Sequence, residues 1–124
     1  MDTDVAIHVR DGEPEVLKAI ASLDDAVVMS IITRVELEGG VHREPSSSAI
    51  RRARLDVILK AVPTLAFDNQ AAEAYGSIVA VAGYSRRKLL DRMIAAHALV
   101  HRATLLTRNA ADFADVPGLQ CRTI

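Results

Sequence analysis

Short apolar stretches typical of strands alternate along this chain with longer stretches of helical periodicity, and this alternation limits the possible folds more than any other feature. The strand-like stretches are residues 26–30, 64–67, 104–107 and 119–123. Strands separated by helices pair in parallel, and the helices then cover both faces of the sheet. We therefore expect an α/β sandwich with a central, mostly parallel sheet of about four to five strands.

The predicted helices fill the gaps between these strands. Pro14 opens a helix over residues 14–23, and a short helix over residues 33–39 is expected to end at its glycine pair. Asp68 or Asn69 caps a helix that Gly83 ends. Residues 89–101 are apolar nearly all round, which predicts a helix buried between other elements.

A further helix is predicted from a cap within residues 46–48 to Lys60. Its pattern separates an apolar side from an arginine-rich side. The residues expected to face the core are Ile50, Ala53, Val57 and Ile58.

Length and composition favour one cytoplasmic domain. A chain of 124 residues with 50% hydrophobic content suffices for one continuous core, so we expect a single domain over residues 1–124. The only cysteine, Cys121, has no partner within the chain, and no secretory leader is visible. The longest apolar stretch, residues 93–100, is far below the roughly 20 residues of a membrane span, so no membrane association is expected.

Arginine supplies 12 of the 15 basic residues, and six of these arginines lie in two clusters, although the net charge is only -1. The planar guanidinium group suits phosphate, so the clusters could hold a polyanion beside an acidic site; a solvated helix face is the alternative. Aromatic residues are scarce, so any nucleic acid would be held by its backbone and not by stacking. The clusters are Arg51, Arg52 and Arg54, then Arg86, Arg87, Lys88 and Arg92.

Several acidic residues stand where predicted strands end or helices begin. Glu36 follows the strand at 26–30, Asp112 follows the strand at 104–107, and Asp91 begins the buried helix. Ligands bind at the carboxyl ends of strands in open α/β sheets, so these acids and the N-terminal Asp2 and Asp4 could meet at one edge. Each could instead be a capping or solvated acid. Periodicity does not decide whether Glu36 or its neighbour two residues on faces inward.

Converging carboxylates would raise one another's pKa values, and a divalent cation would remove that repulsion. An all-oxygen set favours Mg²⁺ or Mn²⁺ over zinc. His97 and His101 share a helix face, but no acid or cysteine accompanies them at the spacing of a zinc site and the HExxH arrangement is absent, so the four histidines are interpreted as core or surface residues. The chain also lacks a GxSxG motif, a phosphate-binding glycine loop and an activating base near Cys121, which argues against a covalent nucleophile.

Four segments resemble motifs of the PIN-domain ribonucleases. MDTDVAI resembles the family's D-T-N-x-x-I opening, and TRVELEGG resembles its T-x-x-E-L-x-x-G segment. LLDRMIAAHAL and LLTRNAADF resemble its two closing motifs. The four segments keep the family's order over nearly the whole chain, and they are most similar to the toxin subunits of VapBC-type toxin-antitoxin pairs.

This resemblance implies a PIN-like sandwich that cleaves RNA with Mg²⁺ or Mn²⁺, leaving a 5′-phosphate and a 3′-hydroxyl. It implies a cognate antitoxin and a homodimer as partners. The implied catalytic and metal-binding acids are Asp2, Glu36, Asp91 and Asp112. The accompanying polar positions are Thr3, Asp4, Thr107 and Asn109, and our candidates for RNA phosphates are Arg86, Arg87 and Arg108.

The N-terminus departs from the family pattern in two ways. Asp4 stands where the family has asparagine, which adds a negative charge beside Asp2. Only Met1 precedes Asp2, whereas family members have several residues of a central strand there. Either the start is truncated or the first strand is very short, and we expect Asp2 to be poorly anchored.

Two other functions stay open at this point. The DTD segment also resembles the Asp-x-Asp pair of haloacid-dehalogenase-like phosphohydrolases, although Ala6 stands where that family has threonine. The second alternative is a non-catalytic PIN-like interaction module whose site no longer binds metal.

Overall fold

The computed structural model describes residues 1–124 and contains six helices and four short strands. None of the helices has the length and apolar content needed to span a bilayer. The elements are α1 (Thr3–Arg10), α2 (Pro14–Ala21), β1 (Met29–Ser30), α3 (Ile31–Arg43), α4 (Ser48–Ala61), β2 (Thr64–Leu65), α5 (Asn69–Ala82), α6 (Leu89–Val100), β3 (Leu105–Thr107) and β4 (Cys121–Thr123).

The strands form two parallel pairs, β1 with β2 and β3 with β4. Met1 and Asp2 lie between the pairs and connect them: the Met1 ammonium donates to the Val28 carbonyl at 3.2 Å, and the Asp2 amide donates to the Leu106 carbonyl at 2.9 Å. The predicted α/β class and parallel pairing are therefore confirmed. The two N-terminal residues occupy the place of a central strand.

All four strands are shorter than predicted: β1, β3 and β4 begin later, and β2 ends at Leu65 instead of residue 67. The stretch at 26–30 forms a strand only over Met29–Ser30, and the stretch at 104–107 begins at Leu105. Strand assignment requires hydrogen-bonded neighbours, and the amides of Ala26, Val27, Val28 and Thr104 donate no backbone hydrogen bond. These residues are therefore not assigned to strands because no neighbouring backbone pairs with their amides, and not because their sequence is unsuitable for a strand.

The helices at 14–21, 69–82 and 89–100 confirm the sequence prediction. The Asp68 carboxylate caps α5 by accepting the Ala71 amide hydrogen at 2.9 Å, and Gly83 ends it with φ +84°. α6 lies against α5 and buries five consecutive residues from Ile94 to Ala98. Its position carries Asp91, in the first turn, toward the same edge as β1 and β3.

The sequence predicted that the glycine pair would end α3. This prediction was wrong, since the helix continues through both glycines to Arg43. A Cβ atom on Gly40 would lie 3.1 Å from Nη1 of Arg10, a side chain that is only 5% exposed. Gly40 therefore allows α1 and α3 to approach closely around a buried guanidinium group.

The predicted inner face of α4 was right at Ile58 and wrong at the other three positions. Ile50 is 51% exposed, Val57 is 67% exposed and Ala53 lies in solvent, whereas Leu55 and Ile58 are buried. Packing against α3 decides the orientation, because Arg52 at the seam between the helices binds the Glu38 carboxylate. A count of apolar positions over 14 residues did not reveal this polar seam.

His97 is a core residue, as the sequence interpretation held, and it joins three elements. It is 2% exposed; its Nδ1 lies 2.7 Å from the Ser30 hydroxyl and its Nε2 lies 2.9 Å from the Ala66 carbonyl. A neutral ring satisfies both partners, since Nε2–H donates to the carbonyl and Nδ1 accepts from the hydroxyl. Ser30 also caps α3 by accepting the Ile32 amide hydrogen.

Acidification should destabilise the fold through His97. Burial lowers the pKa of His97 below its ordinary 6.5, so the unfolded chain takes up a proton before the folded one does. The stabilisation is complete above the unfolded pKa and is lost as pH falls through the folded pKa. Urea unfolding at about pH 7.5 and about pH 5.5 should give a smaller loss of unfolding free energy in His97→Gln than in the unsubstituted protein. Equal losses in the two proteins would show that His97 does not carry the effect.

Candidate active site

All four acids predicted from the sequence line one cavity of about 380 Å³. The cavity lies at the carboxyl ends of β1 and β3, because Glu36 is on the helix that follows β1 and Asp112 is in the 3-10 turn that follows β3. No lysine or arginine is among its lining residues. These are Asp2, Thr3, Asp4, Ile7, Glu36, Asp91, Asn109, Asp112 and Phe113.

Asp2 is firmly held, so the expectation of a poorly anchored residue was wrong. It is 6% exposed; its amide binds the Leu106 carbonyl, and its Oδ1 accepts the Val5 amide hydrogen at 2.9 Å as the N-cap of α1. Burial raises the pKa of Asp2, while hydrogen bonds from the Thr107 side chain and the Val5 amide oppose the rise. One residue thus starts a helix, continues the sheet and presents a carboxyl group to the cavity.

Glu36 and Glu38, the two glutamates of α3, lie on different sides of the helix, as their spacing of two residues requires. The Thr3 hydroxyl donates to Oε1 of Glu36 at 2.6 Å and lies 3.3 Å from the hydroxyl of the fully buried Thr33. Glu38 instead forms ion pairs with Arg52 and Arg34, and the hydrogen bond from Arg52 is the main cause that lowers its pKa. Glu36 is therefore the glutamate at the cavity. Sequence reasoning had not selected Thr33.

Asp112 is positioned by the TRN segment after β3. The Thr107 hydroxyl, which is fully buried, accepts the Asn109 amide hydrogen at 3.0 Å. Nδ2 of Asn109 donates to Oδ2 of Asp112 at 3.0 Å. Both polar residues thus orient an acid, which is the arrangement that the motif suggested for Thr107 and Asn109.

Asp4 also lines the cavity, but its side chain is 61% exposed and lies 3.7 Å from Nε2 of His8. It therefore adds negative charge at the solvent side of the cavity and not at its floor.

Asp91 shows the electrostatic coupling of the four acids. Burial is the main cause that raises the pKa of Asp91, and the charges of Asp112, Glu36 and Asp2 each raise it further. Lys88 opposes the rise, but its Nζ lies 3.0 Å from the Asp115 carboxylate and is already paired. The repulsion at the cavity is therefore not cancelled by any lining side chain.

The chemistry of the cavity fits a hard divalent cation. Its polar groups are carboxylates, one amide and one hydroxyl, which are the oxygen ligands that Mg²⁺ and Mn²⁺ prefer. No three acidic, histidine or cysteine side chains are close enough in this structure to hold one ion together. The acids share a cavity, but they do not converge on a single point.

The basic residues divide into free and paired groups. Arg86 and Arg87 lie exposed in the turn before α6 and form no ion pair. Nη1 of Arg108 lies 3.5 Å from the Glu13 carboxylate. Arg92 is 3% exposed and, together with Lys88, binds Asp115. The second arginine cluster of the sequence is thus partly structural.

The first cluster is largely structural too. Arg51 donates to the Gly40 carbonyl at 2.8 Å, and Arg52 binds Glu38 and Asp56. Both arginines join α4 to α3 or to their own helix.

The role of Asp115 as a partner for Lys88 and the buried Arg92 could not be predicted from the sequence, because the contact joins residues far apart in the chain.

The PIN-domain family model matches residues 1–119 of this chain. The chain belongs to the PIN-domain family. This assignment confirms the resemblance seen in the four motifs, and it leaves no support for the haloacid-dehalogenase alternative.

Known relatives of this PIN domain extend over nearly the full chain. It is similar to ribonuclease VapC2 from Rickettsia felis, with 24% identity covering 96% of this chain and 92% of that protein. In fold it is similar to VapBC2 from Rickettsia felis bound to a promoter DNA fragment, with a TM-score of 0.85 and 22% identity over 99% and 96% of the two chains.

Two further solved structures are similar to this PIN domain. DNA-bound VapBC from Salmonella typhimurium has a TM-score of 0.84 and 26% identity over 98% of this chain and 94% of that chain. FitAcB from Neisseria gonorrhoeae has a TM-score of 0.80 and 28% identity over 97% and 93%.

The same substitution at two acids should change stability in opposite directions. In the presence of EDTA, Asp91→Asn should raise the unfolding free energy by a few tenths to about 1 kcal/mol, because it removes repulsion among partly solvated charges. Asp115→Asn should lower it by about 1–2 kcal/mol, because the nearly buried Arg92 loses its charged partner. Denaturant unfolding measures both changes. A destabilised Asp91→Asn protein would contradict the proposed repulsion.

Proposed function

We propose that this PIN domain is a ribonuclease that depends on Mg²⁺ or Mn²⁺ and acts as the toxin of a type II toxin-antitoxin pair. The observation that carries the proposal is that Asp2, Glu36, Asp91 and Asp112 line one cavity with no lysine or arginine among its lining residues. The charges of Asp112, Glu36 and Asp2 raise the pKa of Asp91, as expected of such a cluster. The proposal is supported by the family assignment and by the similarity to a protein named as a ribonuclease.

In this proposal, Asp2, Glu36, Asp91 and Asp112 would hold one or two divalent ions. When bound, such an ion lowers the pKa of an attacking water and offsets negative charge on the scissile phosphate. The carboxylates are directed by their neighbours: Thr3 binds Glu36, Thr107 and the Val5 amide bind Asp2, and Asn109 binds Asp112. Asp4 adds charge at the entrance.

The RNA would be held by its backbone beside this cavity. Arg86 and Arg87 are free and close in sequence to Asp91, so they are the first candidates for phosphates on one side of the cleavage site. Arg108 is our candidate on the other side, where it would exchange Glu13 for phosphate.

We further propose that residues 1–124 form a single cytoplasmic domain with two protein partners, a cognate antitoxin and a second copy of the chain. The similarity to the VapBC complex from Salmonella typhimurium supports the first partner. Exposed apolar side chains on α3, α4 and the end of α5 are available for contact with these partners. They include Val35, Ile50, Val57, Val81 and Tyr84.

Asp91→Asn should abolish RNA cleavage in Mg²⁺ or Mn²⁺, with kcat reduced at least about 100-fold. The matched control is Glu38→Gln on α3, because Glu38 is an acid outside the cavity, and it should retain activity. Calorimetry with Mn²⁺ should give binding heat for the control and little for Asp91→Asn. An active, highly purified Asp91→Asn protein would refute the assignment, and an absence of Mn²⁺ heat in the unsubstituted protein would favour a non-catalytic module.

Arg86→Ala combined with Arg87→Ala should weaken RNA binding for all sequences alike. Loss of two phosphate contacts should reduce the slope of log affinity against log salt by about 1.4 for single-stranded RNA. Anisotropy titrations at several salt concentrations measure this slope, with Arg54→Ala, an exposed arginine on α4, as the control. An unchanged slope in the double variant would place the phosphate contacts elsewhere.

A further inference from the structure

Lys88 lies next to one acid of the cavity, Asp91, at the start of α6. It is the N-cap residue of this helix, three residues before Asp91, and side chains at that spacing are neighbours on a helix surface. Burial raises the pKa of Asp91, and the charge of Lys88 opposes this rise, so the two side chains interact. Lys88 nevertheless does not line the cavity, which means that another group holds its ammonium away from Asp91.

Asp115 holds that ammonium outside the cavity. Nζ of Lys88 lies 3.0 Å from Oδ2 of Asp115, and Nη2 of Arg92 lies 2.9 Å from the same oxygen. The backbone of Asp115 is fixed in the turn that follows β3, because Phe113 and Val116 on either side of it are both buried in the core. Asp115 is therefore a firmly placed acceptor, and it is not among the lining residues of the cavity.

The two cations share Asp115 in a way that a purely structural ion pair would not need. A guanidinium group and a carboxylate can pair through two parallel hydrogen bonds. Here Nη1 of Arg92 donates to the Gly83 carbonyl, while Nε of Arg92 and Oδ1 of Asp115 are buried without a hydrogen-bond partner. Oδ2 of Asp115 accepts from both cations. The arrangement thus lacks the second hydrogen bond of the arginine pair, at a cost in stability, and retains the contact with Lys88.

Asp115 also connects the two segments that carry Asp91 and Asp112. Asp112 lies three residues before Asp115 in the turn after β3, and Asp91 lies between Lys88 and Arg92 at the start of α6. The contacts of Asp115 with both cations therefore tie this turn to α6. After burial, the charge of Asp112 is the largest cause that raises the pKa of Asp91, so these two acids are strongly coupled.

We propose that Asp115 is a positioning residue for the acidic cavity, because it holds the Lys88 ammonium away from Asp91 and so leaves that carboxylate unpaired for a divalent cation. It also fixes the turn that carries Asp112. This inference rests on the proposed cation-binding function. Without the Asp115 carboxylate, the Lys88 side chain is free to turn toward Asp91 and form the ion pair that their spacing allows. That pair would have to break whenever a cation binds, so the loss of Asp115 weakens cation binding through Lys88.

Calorimetric titration with Mn²⁺ tests this role in the unsubstituted chain, in Asp115→Asn, in Lys88→Gln and in the double variant. Salt at about 0.3 M NaCl screens distant charges, so that a direct contact dominates the comparison. Asp115→Asn should bind Mn²⁺ roughly five- to tenfold more weakly, because the released Lys88 competes for Asp91. The double variant should regain most of this affinity, since no ammonium is left to compete. A double variant as weak as Asp115→Asn would show a merely structural role and would overturn the proposal.

Asp68→Ala is the matched control for stability. It removes the cap of α5 and should destabilise the fold about as much as Asp115→Asn does, but Asp68 does not line the cavity, so Mn²⁺ affinity should not change. Denaturant unfolding in EDTA verifies that both variants are folded under the titration conditions. An absence of Mn²⁺ heat in the unsubstituted chain would refute the proposed function and this role with it. Normal binding by the unsubstituted chain and undiminished binding by Asp115→Asn would overturn the role of Asp115 alone.

Discussion

The position of Asp2 depends on two backbone hydrogen bonds, from Met1 to Val28 and from Asp2 to Leu106, and much of the structure depends on that position. These bonds join the two strand pairs that no other strand connects. They also fix where α1 begins, because the Asp2 carboxylate caps that helix. The same carboxylate forms the floor of the acidic cavity. A change that loosened Asp2 would therefore affect the sheet, the first helix and the site together.

In the acidic cavity, the fold holds negatively charged side chains close together in spite of their mutual repulsion. Five carboxylates from four separate segments line it, and the pKa of Asp91 is raised by burial and by the charges of Asp112, Glu36 and Asp2. Thr3, Thr107 and Asn109 hold individual acids in place by hydrogen bonds, and none of them supplies a positive charge. The fold thus orients the acids without neutralising them, whereas Oδ2 of Asp115 elsewhere is paired with both Lys88 and Arg92. This contrast is the physical basis of the proposed ion-binding role.

The sequence sufficed to predict the class of the fold and the residues of the acidic cavity. Alternation of strand and helix determined parallel pairing, and the rule for open sheets placed Glu36 and Asp112 at one edge. The choice of Glu36 over Glu38 came from the motif resemblance, because three helical residues give no reliable periodicity. The structure supplies the reason, which is the pairing of Glu38 with Arg52 across two helices.

What the sequence missed came from contacts between distant segments. The exposure of Ile50 and Val57 depends on how α4 packs against α3. The need for glycine at position 40 of α3 depends on the buried side chain of Arg10 in α1. The anchoring of Asp2 depends on the Leu106 carbonyl, more than a hundred residues along the chain. Local sequence patterns contain no information about contacts between distant segments. The orientation of the helices and the unpaired strand edges were therefore seen only in the structure.

The claim that the four acids form one cation site is tested most directly by adding Mn²⁺ to the isotope-labelled protein and following paramagnetic broadening of its amide signals. The account predicts that substoichiometric Mn²⁺ broadens the amides of Thr3, Glu36, Asp91 and Asn109 together, before any other part of the chain. Broadening that is weak and spread over the scattered surface acids, with no preference for these four residues, would contradict it.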